Sequence, residues 1–183
     1  VGLVKYGVPL DFSTQNIVAS LNSSLERLKT DYVDLLMLHN PPEDVIEHGE
    51  EILDCLNRLK EEGKIRAVGV SAQTPAHGLL AIKHLKPVAL QVNLNMLDWR
   101  AIECGLMDLA QDTKTSLIAR TPLSFGFLSG NIARDTQFES SDHRSRWPRE
   151  QVNFWVDGAE AMLDCMDDKS IQTKSQFAMR FCL

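Results

Sequence analysis

Five polar or ionisable residues stand where short apolar runs give way to loops in this 183-residue sequence. They are Lys5 after the run 1–4, His39 after 33–38, Ser71 after 65–70, Gln91 within 88–92 and Arg120 after 117–119. An ammonium, an imidazole, a hydroxyl, a carboxamide and a guanidinium all donate hydrogen bonds. Gathered at one opening, such donors can stabilise negative charge that develops on a reacting oxygen. Two of these sites continue into further turn residues, His39-Asn40-Pro41-Pro42 and Arg120-Thr121-Pro122. Metal chemistry has no comparable support. There is no HxxxH, no CxxC and no close carboxylate–histidine set.

The elements that must position these residues follow from hydrophobic periodicity. Ser13 suits an N-cap, and Ile17, Leu21, Leu25 and Leu28 then recur at helical spacing. Ile52, Leu53, Leu56 and Leu59 make a second stripe, which Gly63 ends. Helices are also expected over 75–85, 102–112, 150–167 and 171–182. The five apolar runs alternate with these helical stretches at intervals of about thirty residues, a βαβ pattern that implies a parallel sheet. An open doubly wound sheet and a closed eight-fold β/α barrel both satisfy that pattern. No GxGxxG follows any strand, so the commonest nucleotide motif of the open sheet is missing. In a barrel, functional residues collect at the carboxyl ends of the strands, where these five stand.

A complete barrel takes ~250 residues. The expectation is therefore an α/β fold holding an incomplete (β/α)8 TIM-type barrel, with about five βα units followed by C-terminal helices. Residues 1–183 are expected to form a single domain, with 121–148 as a long loop over the barrel mouth. The stretch 142–150, with Trp147 and Trp155 nearby, reads either as a substrate-side loop or as a surface excursion before a helix.

Composition narrows the function classes. With 44% hydrophobic and 24% charged residues the chain is globular rather than disordered. A net charge of −6 argues against a non-specific nucleic-acid binder. No run reaches the ~18 uncharged apolar residues of a membrane helix. Cys55, Cys104, Cys165 and Cys182 are widely spaced within apolar helical patterns and are expected to be reduced core residues. The opening residues lack the features of a signal peptide, so the cytoplasm is the expected location.

Taken in order, several motifs resemble the aldo-keto reductase family. They are Thr30-Asp31-Tyr32-Val33-Asp34-Leu35-Leu36 leading into Leu38-His39, and Gly63-Lys64-Ile65-Arg66 leading into Gly69-Val70-Ser71. Leu90-Gln91-Val92-Asn93 follows, then Thr121-Pro122-Leu123 with Gly126 and Leu128-Ser129-Gly130. The resemblance implies a β/α barrel that binds NADPH without a Rossmann motif and reduces a small-molecule aldehyde or ketone to an alcohol. It also implies a tyrosine that protonates the carbonyl oxygen.

By this resemblance Lys5 is the ammonium that eases release of the tyrosine proton, and His39 orients and polarises the carbonyl. Ser71 and Gln91 match residues that hydrogen-bond the nicotinamide carboxamide. Arg120 stands where an aromatic ring commonly stacks on the nicotinamide, and a guanidinium plane can stack in its place. Thr121, Pro122, Leu123 and Ser124 match the loop around the pyrophosphate. Val4 stands where the family usually has threonine, and Ala72 where it often has asparagine. The family's tyrosine and aspartate are expected before Val1, so these residues alone should be inactive. A second class on the same scaffold is a non-catalytic cofactor-binding or regulatory protein, similar to potassium-channel β-subunits.

Overall fold

The computed structural model describes residues 10–166, 171 and 173–183. The expected first strand over 1–4 lies outside the described residues. The four later apolar runs all form strands: β1 (Val33–His39), β2 (Ile65–Ser71), β3 (Ala89–Asn93) and β4 (Ser116–Arg120). They lie in the order β1-β2-β3-β4, and β1–β2 and β2–β3 pair in parallel. The fold class is α/β with a parallel sheet.

The chain divides into two compact units. The first holds the described residues up to Val92 together with Ala101–Ile118; the second holds Asn93–Arg100 and Ala119–Leu183.

In the first unit, side chains alternate across each strand. Leu36, Leu38, Val68, Val70, Leu90 and Val92 form one face and are buried in a core shared with the helices. Each such aliphatic side chain contributes ~1.5–3 kcal/mol on leaving water. The alternate positions carry Leu35, Met37 and His39 on β1, Ala67, Gly69 and Ser71 on β2, and Gln91 on β3. Burying the apolar set thus turns the polar strand-end residues to the opposite face. Gly69 is closely approached on that face. A Cβ there would lie 3.0 Å from the Ala89 carbonyl oxygen and 3.2 Å from Met37 Cγ.

The first helix, α1 (Thr14–Leu28), starts as expected, with the Ser13 hydroxyl accepting the Asn16 N–H at 3.3 Å. Ile17, Leu21 and Leu25 are buried. Leu28 is not part of the core: it is 64% exposed on the last turn. A five-residue helix, α2 (Glu43–Glu47), was not legible in the periodicity and buries Ile46. Its neighbour α3 (Glu50–Glu61) ends at Gly63 (φ +72°), where Gly63 N–H reaches Lys60 O and Lys64 N–H reaches Leu59 O, a Schellman closure. The helix α4 (Pro75–Leu85) is capped by Thr74. The single helix expected over 102–112 is two, α5 (Arg100–Glu103) and α6 (Leu106–Thr113). Gly105 adopts φ +76° between them, which no helix can continue through.

The second unit has its own core of Met96, Phe127, Leu128 and the stripe Val152, Val156, Ala159 and Leu163. That stripe belongs to α7 (Arg149–Leu163), shorter than the expected 150–167. The closing helix α8 (Lys174–Arg180) is likewise shorter than expected, because Thr173 and Gln176 form a capping box that sets its start. Trp147 packs edge-to-face on Trp155 with centroids 4.8 Å apart, and Trp155 lies 5.4 Å from Phe127. Both tryptophans therefore pack against this core. The segment expected as a loop also contains a 3-10 turn at His143–Arg146 and, over Ser124–Ser129, 3-10 turns kinked at Phe125 and Gly126.

The core position expected of the cysteines holds for Cys55 alone, which is 1% exposed. Cys104 and Cys165 are exposed and Cys182 is half-buried, each close to a helix end; all four thiols are free. Among the described residues no helix is long and apolar enough to cross a membrane.

Candidate functional site

In the first unit the parallel register assembles one row of candidate residues. His39 pairs with Ser71, and Ser71 pairs with Gln91. Backbone bonds carry the pairing beyond the strand ends: Asn40 N–H donates to Ser71 O at 2.7 Å, and Ala72 N–H donates to Gln91 O at 2.8 Å. Asn40 reaches its bond with φ +51°, a conformation asparagine tolerates better than most residues. His39 is half-buried, and Ser71 is only 2% exposed.

The Ser71 hydroxyl donates to Gln91 Oε1 at 3.0 Å. That bond decides the orientation of the carboxamide. Oε1 is the end held by serine, and Nε2 is the donor end. A hydroxyl and a primary amide can each both donate and accept, as the carboxamide of a ligand can. The donor and acceptor types of Ser71 and Gln91 match those of a carboxamide such as that of nicotinamide.

In the second unit the exit of β4 is held by the end of β3 and the turn after it. Arg120 Nε donates to Asn93 Oδ1 at 2.8 Å, and the Leu94 N–H donates to Arg120 O at 3.3 Å. Asn95 is 3% exposed and uses both ends of its amide: Nδ2 donates to Thr121 O at 3.0 Å, and Oδ1 accepts the Leu97 N–H at 2.9 Å. The turn beyond Asn95 is braced by the Asp98–Arg100 ion pair at 2.7 Å. Hydrogen bonds from the Arg100 side chain hold the Asp98 carboxyl below its ordinary value.

Thr121, Ser124 and Phe125 all have positive φ, at +54°, +45° and +56°. For β-branched Thr121 this is a true outlier, sustained by its surroundings. Pro122 and Leu123 follow in the same turn; Leu123 packs against the second core, and Ser124 is buried. Farther along, Arg144 pairs with Asp142 at 2.6 Å and donates to Phe125 O at 3.0 Å.

Of the residues expected from sequence, His39, Ser71 and Gln91 are brought into one row. Arg120 and Thr121 are brought together with Asn93 and Asn95, and Pro122 to Ser124 continue that turn. Lys5 lies outside the described residues. Asn93 and Asn95 were not expected to matter. Their signal was polar residues at positions 91, 93 and 95, the alternate positions of an otherwise apolar segment.

Comparison with known proteins places this arrangement. Residues 3–183 match the aldo/keto reductase family. An aldo-keto reductase of Babesia bovis is 31% identical over 166 residues, covering 74% of this chain and 58% of that protein. The NADH-specific methylglyoxal reductase of Escherichia coli is 34% identical over 128 residues, covering 68% of this chain and 38% of that protein. The glycerol dehydrogenase AKR11B4 from Gluconobacter oxydans superposes with a TM-score of 0.78 at 28% identity, covering all of this chain and 56% of that one. The chain therefore spans roughly two fifths to three fifths of the length of these proteins. Its fold is part of the family's (β/α)8 barrel. Motif order, strand-end residues and fold agree, and the chain belongs to the aldo/keto reductase family.

Proposed function

We propose that the protein is an NADPH-dependent oxidoreductase that reduces an aldehyde or ketone to an alcohol. The observation that carries this reading is the row His39–Ser71–Gln91, in which a hydrogen-bonded serine–glutamine pair lies in register with an imidazole. When bound, the dihydronicotinamide supplies the hydride that the carbonyl carbon accepts.

Each residue has a separate task in this proposal. Ser71 and Gln91 hold the nicotinamide carboxamide and so select which ring face is presented. His39 donates a hydrogen bond to the carbonyl oxygen, where negative charge grows during the reaction. Lys5 is the ammonium beside the family's proton-donating tyrosine; a nearby cation favours the phenolate and lowers a pKa that is ordinarily near ~10. Arg120 stacks on the nicotinamide, and the turn from Thr121 through Pro122 and Leu123 to Ser124 wraps the pyrophosphate.

The test is consumption of NADPH by the full-length protein against a panel of small aldehydes and ketones, with NADH as the comparison arm. Lys5→Met should abolish most turnover while leaving cofactor affinity nearly unchanged. Ser71→Ala should weaken cofactor affinity several-fold. Near-normal turnover in Lys5→Met, or unchanged affinity in Ser71→Ala, would refute the corresponding assignment.

A further inference from the structure

We infer that Asn93 is a positioning residue for the nicotinamide cofactor, acting through Arg120: its Oδ1 atom fixes the plane of the guanidinium. The inference rests on the cofactor role proposed above for Arg120.

The argument begins with the geometry of the two side chains. All five guanidinium N–H bonds lie in one plane, so an acceptor bonded to Nε lies in that plane too. An acceptor there restricts rotation about the last bonds of the side chain without covering either flat face. Asn93 Oδ1 meets this condition at 2.8 Å. Asn93 is the last residue of β3 and Arg120 the last of β4, so both ends of the bond are carried on strand backbone.

Thr121 offers a weaker claim on the same oxygen. Its hydroxyl is 3.3 Å from Asn93 Oδ1 but 2.7 Å from Arg120 O, and a hydroxyl has one proton to give. The shorter contact takes it. Asn93 is therefore committed chiefly to the guanidinium.

The backbone of this turn has different holders. Asn95 Nδ2 bonds Thr121 O and the Leu94 N–H bonds Arg120 O. Side chain and main chain are thus anchored by separate groups, so removing the Asn93 amide leaves the turn's main-chain bonds in place. A neutral acceptor also suits this position. A carboxylate would pair with the guanidinium and offset the positive charge that attracts an anionic dinucleotide.

The experiment is a fluorescence titration of the full-length protein with NADPH and, separately, with NADH. Asn93→Ala should weaken binding of the preferred dinucleotide about tenfold. In an Arg120→Lys background, where no plane remains to be fixed, Asn93→Ala should change affinity by less than about twofold. Asn93→Leu, close in shape but without an acceptor, carries the same expectation should the alanine variant be unfolded.

Affinity at the wild-type level in the Asn93 variants overturns the inference. So does an equal loss in both backgrounds, which would mark a general structural role. A wild-type protein that binds neither dinucleotide removes the proposed function and this inference with it, and that result is distinct from the other two.

Discussion

Asn95→Ala tests the energetics of the turn that follows β4. The substitution removes both ends of an amide that is 3% exposed. Leu97 N–H loses its acceptor at 2.9 Å, and Thr121 O loses one of two donors, keeping the Ser124 N–H at 2.8 Å. Leaving a buried polar group unpaired costs ~1–3 kcal/mol. Leu97 N–H alone is left unpaired, on a half-buried residue that water can partly reach, so the low end of ~1 kcal/mol applies, and the loss of one of two bonds at Thr121 O adds ~0.5–1 kcal/mol. A partial offset comes from Thr121. Its left-handed backbone stores ~1–2 kcal/mol, some of which is released if the turn relaxes.

The net expectation is a loss of about 1–2 kcal/mol, read by urea denaturation followed by circular dichroism. For a chain of this size that is a fall in melting temperature of about 2–8 °C. Asn22→Ala, at an exposed position on α1, is the control and should stay within ~0.5 kcal/mol of wild type. If Asn95→Ala is no more costly than Asn22→Ala, the buried amide is not holding the turn and the account of the β4 exit is wrong.

Two other expectations concern packing and pH. Gly49→Ala should lower stability by ~1–3 kcal/mol in the same assay, because the new Cβ would lie 2.6 Å from Leu85 Cδ2, a buried methyl. The backbone itself accepts alanine there (φ −80°), so unchanged stability would mean that Leu85 has room to move. Hydrogen bonds from the Arg144 side chain, and then its backbone N–H, lower the Asp142 carboxyl from 3.8 to about 2. Its folded value lies below its unfolded value, so the Asp142–Arg144 contact contributes fully above about pH 4 and is lost as pH falls toward 2. A carbon-detected NMR titration should show a midpoint near 2 for this carboxyl; a midpoint near 3.8 would contradict the bonding seen here.

Local signals read well where one residue type decides the structure. Ser13 capped its helix and Gly63 closed its own. The apolar runs became strands because β-branched and aliphatic side chains suit a buried pleated surface, and the polar residues ending them landed in register. Other features depend on partners far along the chain. The positive φ of Thr121 carries no glycine to announce it, and it is held by Asn95, 26 residues earlier. The role of Asn93 is likewise set by a partner 27 residues away. Cys104 and Cys165 lie in apolar patterns, but helices that stop at Glu103 and Leu163 leave them exposed. Helix α2 has one buried residue in five, too few to make a stripe. Lys5 stands out by its place after an apolar run, but its proposed role comes only from the family resemblance.

The neighbour-to-neighbour strand order has a consequence for synthesis on the ribosome. Each strand hydrogen-bonds to the one made just before it, with partners 32 residues apart between β1 and β2 and 20 apart between β2 and β3. A growing polypeptide can therefore add one strand and its helix at a time to an existing edge, without waiting for a distant segment to emerge. Short separations keep loop-closure entropy low at every addition. The newest edge at any moment is the one the next segment will cover, which limits the time that edge is available to other chains.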